Sequence, residues 1–94
     1  MLIKTLVHGE KTLMTKFNLK EGQVHASHRH PYEQTGFLIK GKVKFTIGDE
    51  VHIVETGDAW SILSDIEHQA EIIEDSIGIE VFSPVREDYL AFKA

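Results

Sequence analysis

The chain of 94 residues has no cysteine. That excludes a disulfide framework and thiolate ligation, so any metal has to be held by nitrogen and oxygen. No window approaches the ~20 apolar residues of a membrane span, and the N-terminus lacks a charged region followed by a long apolar stretch. No membrane association is expected, and the pattern is that of a cytoplasmic protein. There is no basic block either. The net charge is −5, and Lys40, Lys42 and Lys44 fall at alternating or turn positions, which argues against a nucleic-acid partner. Linkers, repeats and low-complexity stretches are missing, and the length suits one domain, residues 1–94, with a single small core. Helical periodicity is confined to the tail, where Val85, Tyr89 and Phe92 are spaced for one short turn.

What the chain does have is closely spaced turn signals. They fall at His8-Gly9-Glu10, Lys20-Glu21-Gly22, Pro31-Tyr32, Lys40-Gly41-Lys42, Gly48-Asp49, Gly57-Asp58, Ser64-Asp65 and Glu74-Asp75-Ser76. Short runs rich in β-branched and aromatic residues lie between them, as in an all-β sandwich or barrel. Val43-Lys44-Phe45-Thr46-Ile47 alternates strictly, and Gly48-Asp49 turns it into Val51-His52-Ile53-Val54, with His52 expected on the polar face. Closing two sheets into a jelly-roll barrel removes exposed edges, and the barrel then has an interior in which any polar residue needs a partner.

His28 and His30 flank Arg29, and on an extended strand they project to the same side. Gln34 keeps that parity if the chain resumes as strand after Pro31; Glu33, of opposite parity, is the competing ligand. His68 begins His68-Gln69-Ala70-Glu71-Ile72-Ile73, where a strand should start, and is the best further ligand. Neutral imidazole suits one divalent transition metal such as nickel, zinc, manganese or iron.

These residues resemble the cupin superfamily from Gly22 to His68. The first cupin motif is a glycine, five residues, His-x-His, three or four residues, a Glu, six residues and a glycine. Here Gly22, His28-Arg29-His30, Gln34 and Gly41 occupy those places, with Gln for Glu. Gly57 and His68 hold the ends of the second motif; Leu63 and Asp65 stand where proline and glycine are usual, and Ile72 where Asn is. The resemblance implies a double-stranded β-helix with a short C-terminal tail. The stretch Glu80-Val81-Phe82-Ser83-Pro84-Val85-Arg86-Glu87-Asp88-Tyr89-Leu90 looks like the end of small cupins related to the pectin-degradation protein KdgF, which linearise unsaturated monouronates. In that family an acid, a phenylalanine and an arginine near the metal take part in the reaction. By spacing they match Glu80, Phe82 and Arg86, with Glu where the family has Asp.

Strand alternation alone says that either Glu80 and Phe82 or Ile79 and Val81 face inward. An inward Glu80 needs a positive neighbour, the metal or Arg86; an outward one is solvated, and Arg86 then makes a surface pair. Trp60 and Tyr32 either line a sugar-sized pocket or are core, and His25, of opposite parity to His28, is expected at the surface or the mouth. Two classes of function fit. One is a metal-dependent enzyme acting on a small carboxylate-bearing sugar acid, by isomerisation or, at iron or manganese, by dioxygen chemistry. The other is a cupin that binds a metabolite or metal without turnover. Ile72-Ile73 and Ile77-Gly78-Ile79 carry apolar residues on both strand faces, which points to a homodimer.

Overall fold

The computed structural model describes residues 2–92. Its strands are β1 (Leu2–His8), β2 (Leu13–Leu19), β3 (Val24–His28), β4 (Glu33–Ile47), β5 (Glu50–Glu55), β6 (Ala59–Ile62) and β7 (His68–Ser83), followed by a 3-10 segment, Glu87–Phe92. Every strand pairing is antiparallel. No helix among the described residues is long and apolar enough to cross a membrane.

Two strands are far longer than the rest and pair with each other, from Glu33 opposite Ser83 to Ile47 opposite His68. Register shifts between Leu38 and Val43 put bulges in the middle of this ribbon, and bulges bend strands. The first half of β4 and the second half of β7 are flanked by β6 and β2, with β1 beyond. The remaining halves are flanked by β5 and β3. One bent ribbon thus supplies the central pair of both sheets. Phe17, Leu38 and Ile62 from one sheet pack against Val43, Val54 and Ile72 from the other, forming the core of a double-stranded β-helix.

Lys40-Gly41-Lys42 and Glu74-Asp75-Ser76, expected as turns, lie inside β4 and β7. They meet at the bend. Gly41 has φ +123°, and a Cβ there would stand 2.2 Å from Ser76 Oγ. The same hydroxyl accepts a hydrogen bond from the Lys42 amide at 3.1 Å. Both segments carry turn chemistry because the backbone changes direction there, yet the ladder continues on either side.

The β4–β5 hairpin forms around Gly48-Asp49, with Ile47 opposite Glu50. That register puts His52 opposite Phe45 on the inward face at the sheet edge, correcting the expectation that it lies on the polar face. Val54 is the buried residue of β5, whereas Val51 and Ile53 point outward, 58% and 48% exposed. At the chain's other end the Thr5 hydroxyl donates to the Tyr89 carbonyl. This anchors the 3-10 segment on β1 and sets Arg86 and Tyr89 at the open end of the barrel, where they line its cavity.

Candidate metal centre

β3 ends on His28 and β7 begins on His68, and the two are direct cross-strand partners. His30 follows in the crossing between β3 and β4, outside any strand, but its ring still turns toward the other two. Ring centroids lie 4.3 Å apart for His28 and His68, 4.9 Å for His30 and His68, and 5.4 Å for His28 and His30. One nitrogen from each ring lies within 4.8 Å of the others.

The backbone decides which nitrogen that is. Nδ1 of His28 is 3.0 Å from the Ala26 carbonyl, Nδ1 of His30 is 3.0 Å from that of Tyr32, and Nδ1 of His68 is 2.8 Å from that of Ile66. A carbonyl only accepts, so each neutral ring carries its proton on Nδ1 and leaves a bare lone pair on Nε2. Nε2 of His30 is buried without a hydrogen-bond partner, an expensive arrangement unless something occupies the space before it. Three convergent lone pairs, each oriented by a carbonyl behind it, fit a divalent metal.

Protonation is disfavoured where it would compete with a metal. Burial, then the Arg86 charge and His28, hold His30 below the usual imidazole range. Burial does the same for His68, with His28, His30 and Arg86 adding to it against the hydrogen bond to Ile66.

The loop before His68 explains one departure from the usual cupin motif. Asp65, standing where glycine is usual, has φ +61°, the left-handed conformation that glycine adopts freely and Asp tolerates better than most residues. Its amide donates to the His30 carbonyl at 2.8 Å, which ties the second motif to the first.

Gln34 is buried and lies close enough to His30 to raise that ring's basicity, while Glu33 is exposed on the opposite face. Gln34 Nε2 donates to Glu80 Oε2 at 2.5 Å, and Trp60 Nε1 donates to the same oxygen at 3.1 Å. Glu80 therefore points inward, as does Phe82, which is 2% exposed with its ring edge toward His30. Burial pushes the Glu80 carboxyl above the ordinary range, opposed by Trp60, Gln34 and Arg86.

Arg86 does not pair with Glu80. Its Nε donates to both carboxylate oxygens of Asp88 at 3.2 Å, and its guanidinium lies 3.9 Å from the centroid of Tyr89, 5.1 Å from Phe82 and 5.4 Å from Tyr32. His28, Gln34, His68, Glu80, Phe82 and Arg86 all line one cavity of about 420 Å³, a size typical of small-molecule sites.

Residues 15–82 match the cupin domain family. The chain is a cupin. Among curated proteins it is similar to the pectin degradation protein KdgF of Dickeya dadantii (strain 3937), 27% identical over 89 residues that cover 93% of this chain and 81% of that one. Among solved structures it is similar to KdgF from Halomonas sp., with TM-score 0.86, 27% identity, and coverage of 92% of this cupin and 80% of the other. An RmlC-like cupin from Shewanella frigidimarina NCIMB 400 superposes with TM-score 0.87 at 22% identity, covering 93% and 78% of the two chains. The last likeness concerns the fold alone.

Three residues gain weight from the cupin barrel that their sequence context did not give them. His25, expected at the surface or the mouth, lines the cavity, and its Nε2 is buried without a partner. A bulge between His25 and His28 reverses the parity, so both rings face inward. Trp60 is core, 8% exposed against Phe17 and Phe45, and also supplies a hydrogen bond to the site. Tyr89, legible only as part of a short apolar stripe, covers Arg86. A bulge decides His25, cross-strand partners decide Trp60, and the docking of the 3-10 segment on β1 decides Tyr89; none of these leaves a local mark in the sequence.

Proposed function

We propose that this cupin is a metal-dependent isomerase of small sugar acids, linearising an unsaturated monouronate or a close analogue. The observation that carries the reading is Glu80, a carboxylate held by burial above its usual pKa range in the cavity that His28 and His68 of the imidazole cluster line. His28, His30 and His68, with Gln34 as an oxygen donor, would hold one divalent transition metal. Bound there, it supplies a Lewis acid for the substrate's carboxylate or vicinal oxygens, undiminished in charge because the amide is neutral. Arg86 binds the substrate carboxylate, its planar cation held among aromatic rings. Glu80 moves the proton in the enol-to-keto step, a role suited to a carboxyl shifted toward neutrality. Phe82 excludes water between the imidazoles and Arg86. The similarity to KdgF, a pectin degradation protein, supports a uronate as substrate.

The test is an assay of metal-loaded protein on unsaturated monouronates, following loss of the ring alkene's ultraviolet absorbance. Glu80→Gln keeps an acceptor for Gln34 and Trp60 but cannot shuttle a proton. Loaded with metal, it should lose about 10²–10⁴-fold in rate. Wild-type protein that binds uronates without converting them would favour a metabolite-binding role.

The same proposal includes a homodimer. Met14, Phe37, Ile77, Ile79 and Val81 occupy neighbouring outward positions, since Phe37 pairs with Ile79 and Met14 with Val81. Phe37 is 46% and Ile39 42% exposed, so this sheet face presents an apolar patch, bordered by Lys16 and Thr35, that a second copy would cover. Phe37→Glu should shift the sedimentation coefficient from dimer to monomer while leaving the circular dichroism spectrum intact. Wild-type protein that sediments as a monomer at micromolar concentration would end this part of the reading.

A further inference from the structure

We propose that Trp60 is a positioning residue for the ligand Gln34, acting through Glu80 across a gap left by Gly36. The inference rests on reading the imidazole cluster as a metal site.

Its starting point is an ambiguity in glutamine. The two ends of the amide have nearly the same shape, but only the oxygen has a lone pair for a metal. Which end faces the imidazoles depends on what meets the other. Indole Nε1 can only donate, so the Glu80 Oε2 that it meets is an acceptor, and with Gln34 Nε2 donating to the same oxygen the amide oxygen is turned to the other side. That orientation is secure only while the carboxylate itself cannot turn, and the terminal torsion of a glutamate is soft.

Trp60 holds it. Indole Nε1 is a donor only, and it meets the same Oε2. Across the sheet Trp60 and Glu80 are the two cross-strand partners of Gly36, one on β6 and one on β7. They stand two strand spacings apart, about 9–10 Å. The indole bridges that gap by lying over Gly36, where a Cβ would come within 2.2 Å of Cε2 and Cζ2 of the ring. No residue with a side chain fits there while Trp60 keeps its hydrogen bond.

The arrangement also divides the Glu80 carboxylate. Oε2 is occupied by two donors, and Oε1 takes no hydrogen bond among the described residues. Oε1 is therefore the atom that a substrate in the cavity meets, with its direction set by the hold on Oε2.

A double-mutant cycle on cobalt(II) binding, read from the visible spectrum of the bound ion, separates positioning from mere packing. Trp60→Phe keeps an aromatic ring in the core and removes the donor, and the packing it also loses is common to both backgrounds of the cycle. It should weaken cobalt binding about 10–100-fold, as loss of a partner behind a ligand does, and change the ligand-field bands as the amide oxygen leaves. In a Gln34→Ala background, the same Trp60→Phe change should have no effect on cobalt affinity. An equal loss in both backgrounds would mean a structural role and overturn the proposal, as would a Trp60→Phe protein that binds cobalt like the wild type. Wild-type protein that binds no cobalt would overturn both this inference and the metal reading. Proton exchange in the unmodified metal-free protein gives a test independent of any variant's folding. The Gln34 amide and the Nε1 proton of the sole tryptophan should both exchange slowly, and rapid exchange of either overturns the proposal.

Discussion

His68→Ala protein should emerge from purification with almost no metal under conditions that load the wild type with about one ion per chain, measured by elemental analysis. His28→Ala should behave the same way. The two histidines come from distant stretches of sequence, yet they are cross-strand partners with rings 4.3 Å apart. Removing either takes away a ligating nitrogen outright. The loss should exceed the roughly 10–100-fold that follows removal of a group merely supporting a ligand. Stability should report it too. Metal at a hundred times its dissociation constant adds about 2.7 kcal/mol, which for a domain of this size raises the melting temperature by about 10–20 °C. The wild type should show that rise with nickel or zinc and both variants should not. Acid should reverse it. His30 and His68 titrate below 6.5, so protons compete weakly at neutral pH. Their competition becomes severe only as the pH falls through those lowered values, with affinity dropping ever more steeply. Unchanged metal content in either alanine variant would refute a shared site.

Leu38→Ala should cost about 2–5 kcal/mol, read from the denaturant midpoint at unchanged slope. Leu38 has no exposed surface, and it sits just before the bend of the ribbon, where it joins the core that fills both sheets. Its amide accepts no alternative geometry easily. It donates to the Asp58 carbonyl at 2.9 Å, while its own carbonyl accepts from Gly57 at 2.8 Å. The surroundings are therefore braced and relax little around the void. Since domains of this kind are stable by only about 5–15 kcal/mol, the variant should lose a large share of its stability. A loss below about 1 kcal/mol would show that the core collapses into the space.

Much of this was legible in the residues. Alternation in Val43–Ile47 and the Gly48-Asp49 turn announced the hairpin, and the spacing of His28, His30, Gln34 and His68 announced the family and its cluster. Strand parity put Gln34 inside and Glu33 outside, as found. Parity failed at His25, because a bulge inserts one residue and flips the face without any glycine or proline to mark it. Composition failed at Lys40-Gly41-Lys42, because a sharp bend inside a strand uses the same residues as a turn between strands. The partners of Glu80 were out of reach for a third reason. They depend on which residues stand opposite Gly36 on two different strands, and register of that range is a property of the assembled sheets. Asp65 shows the reverse case, in which a departure from the motif preserves the backbone conformation the motif requires.

The bent ribbon of β4 and β7 also governs when the imidazole cluster forms. Its pairings join chain segments as far apart as Glu33 and Ser83, and only the β1–β2 and β4–β5 pairs are hairpins between neighbouring strands. Long-range pairing of this kind is slow, because loop closure must precede the contacts that compensate for it. The imidazoles cannot nucleate the process, since His28 and His68 meet only after β3 has docked on β7. Folding would therefore come first and capture second, any ion being bound by a cluster of nitrogens that the finished barrel has already assembled.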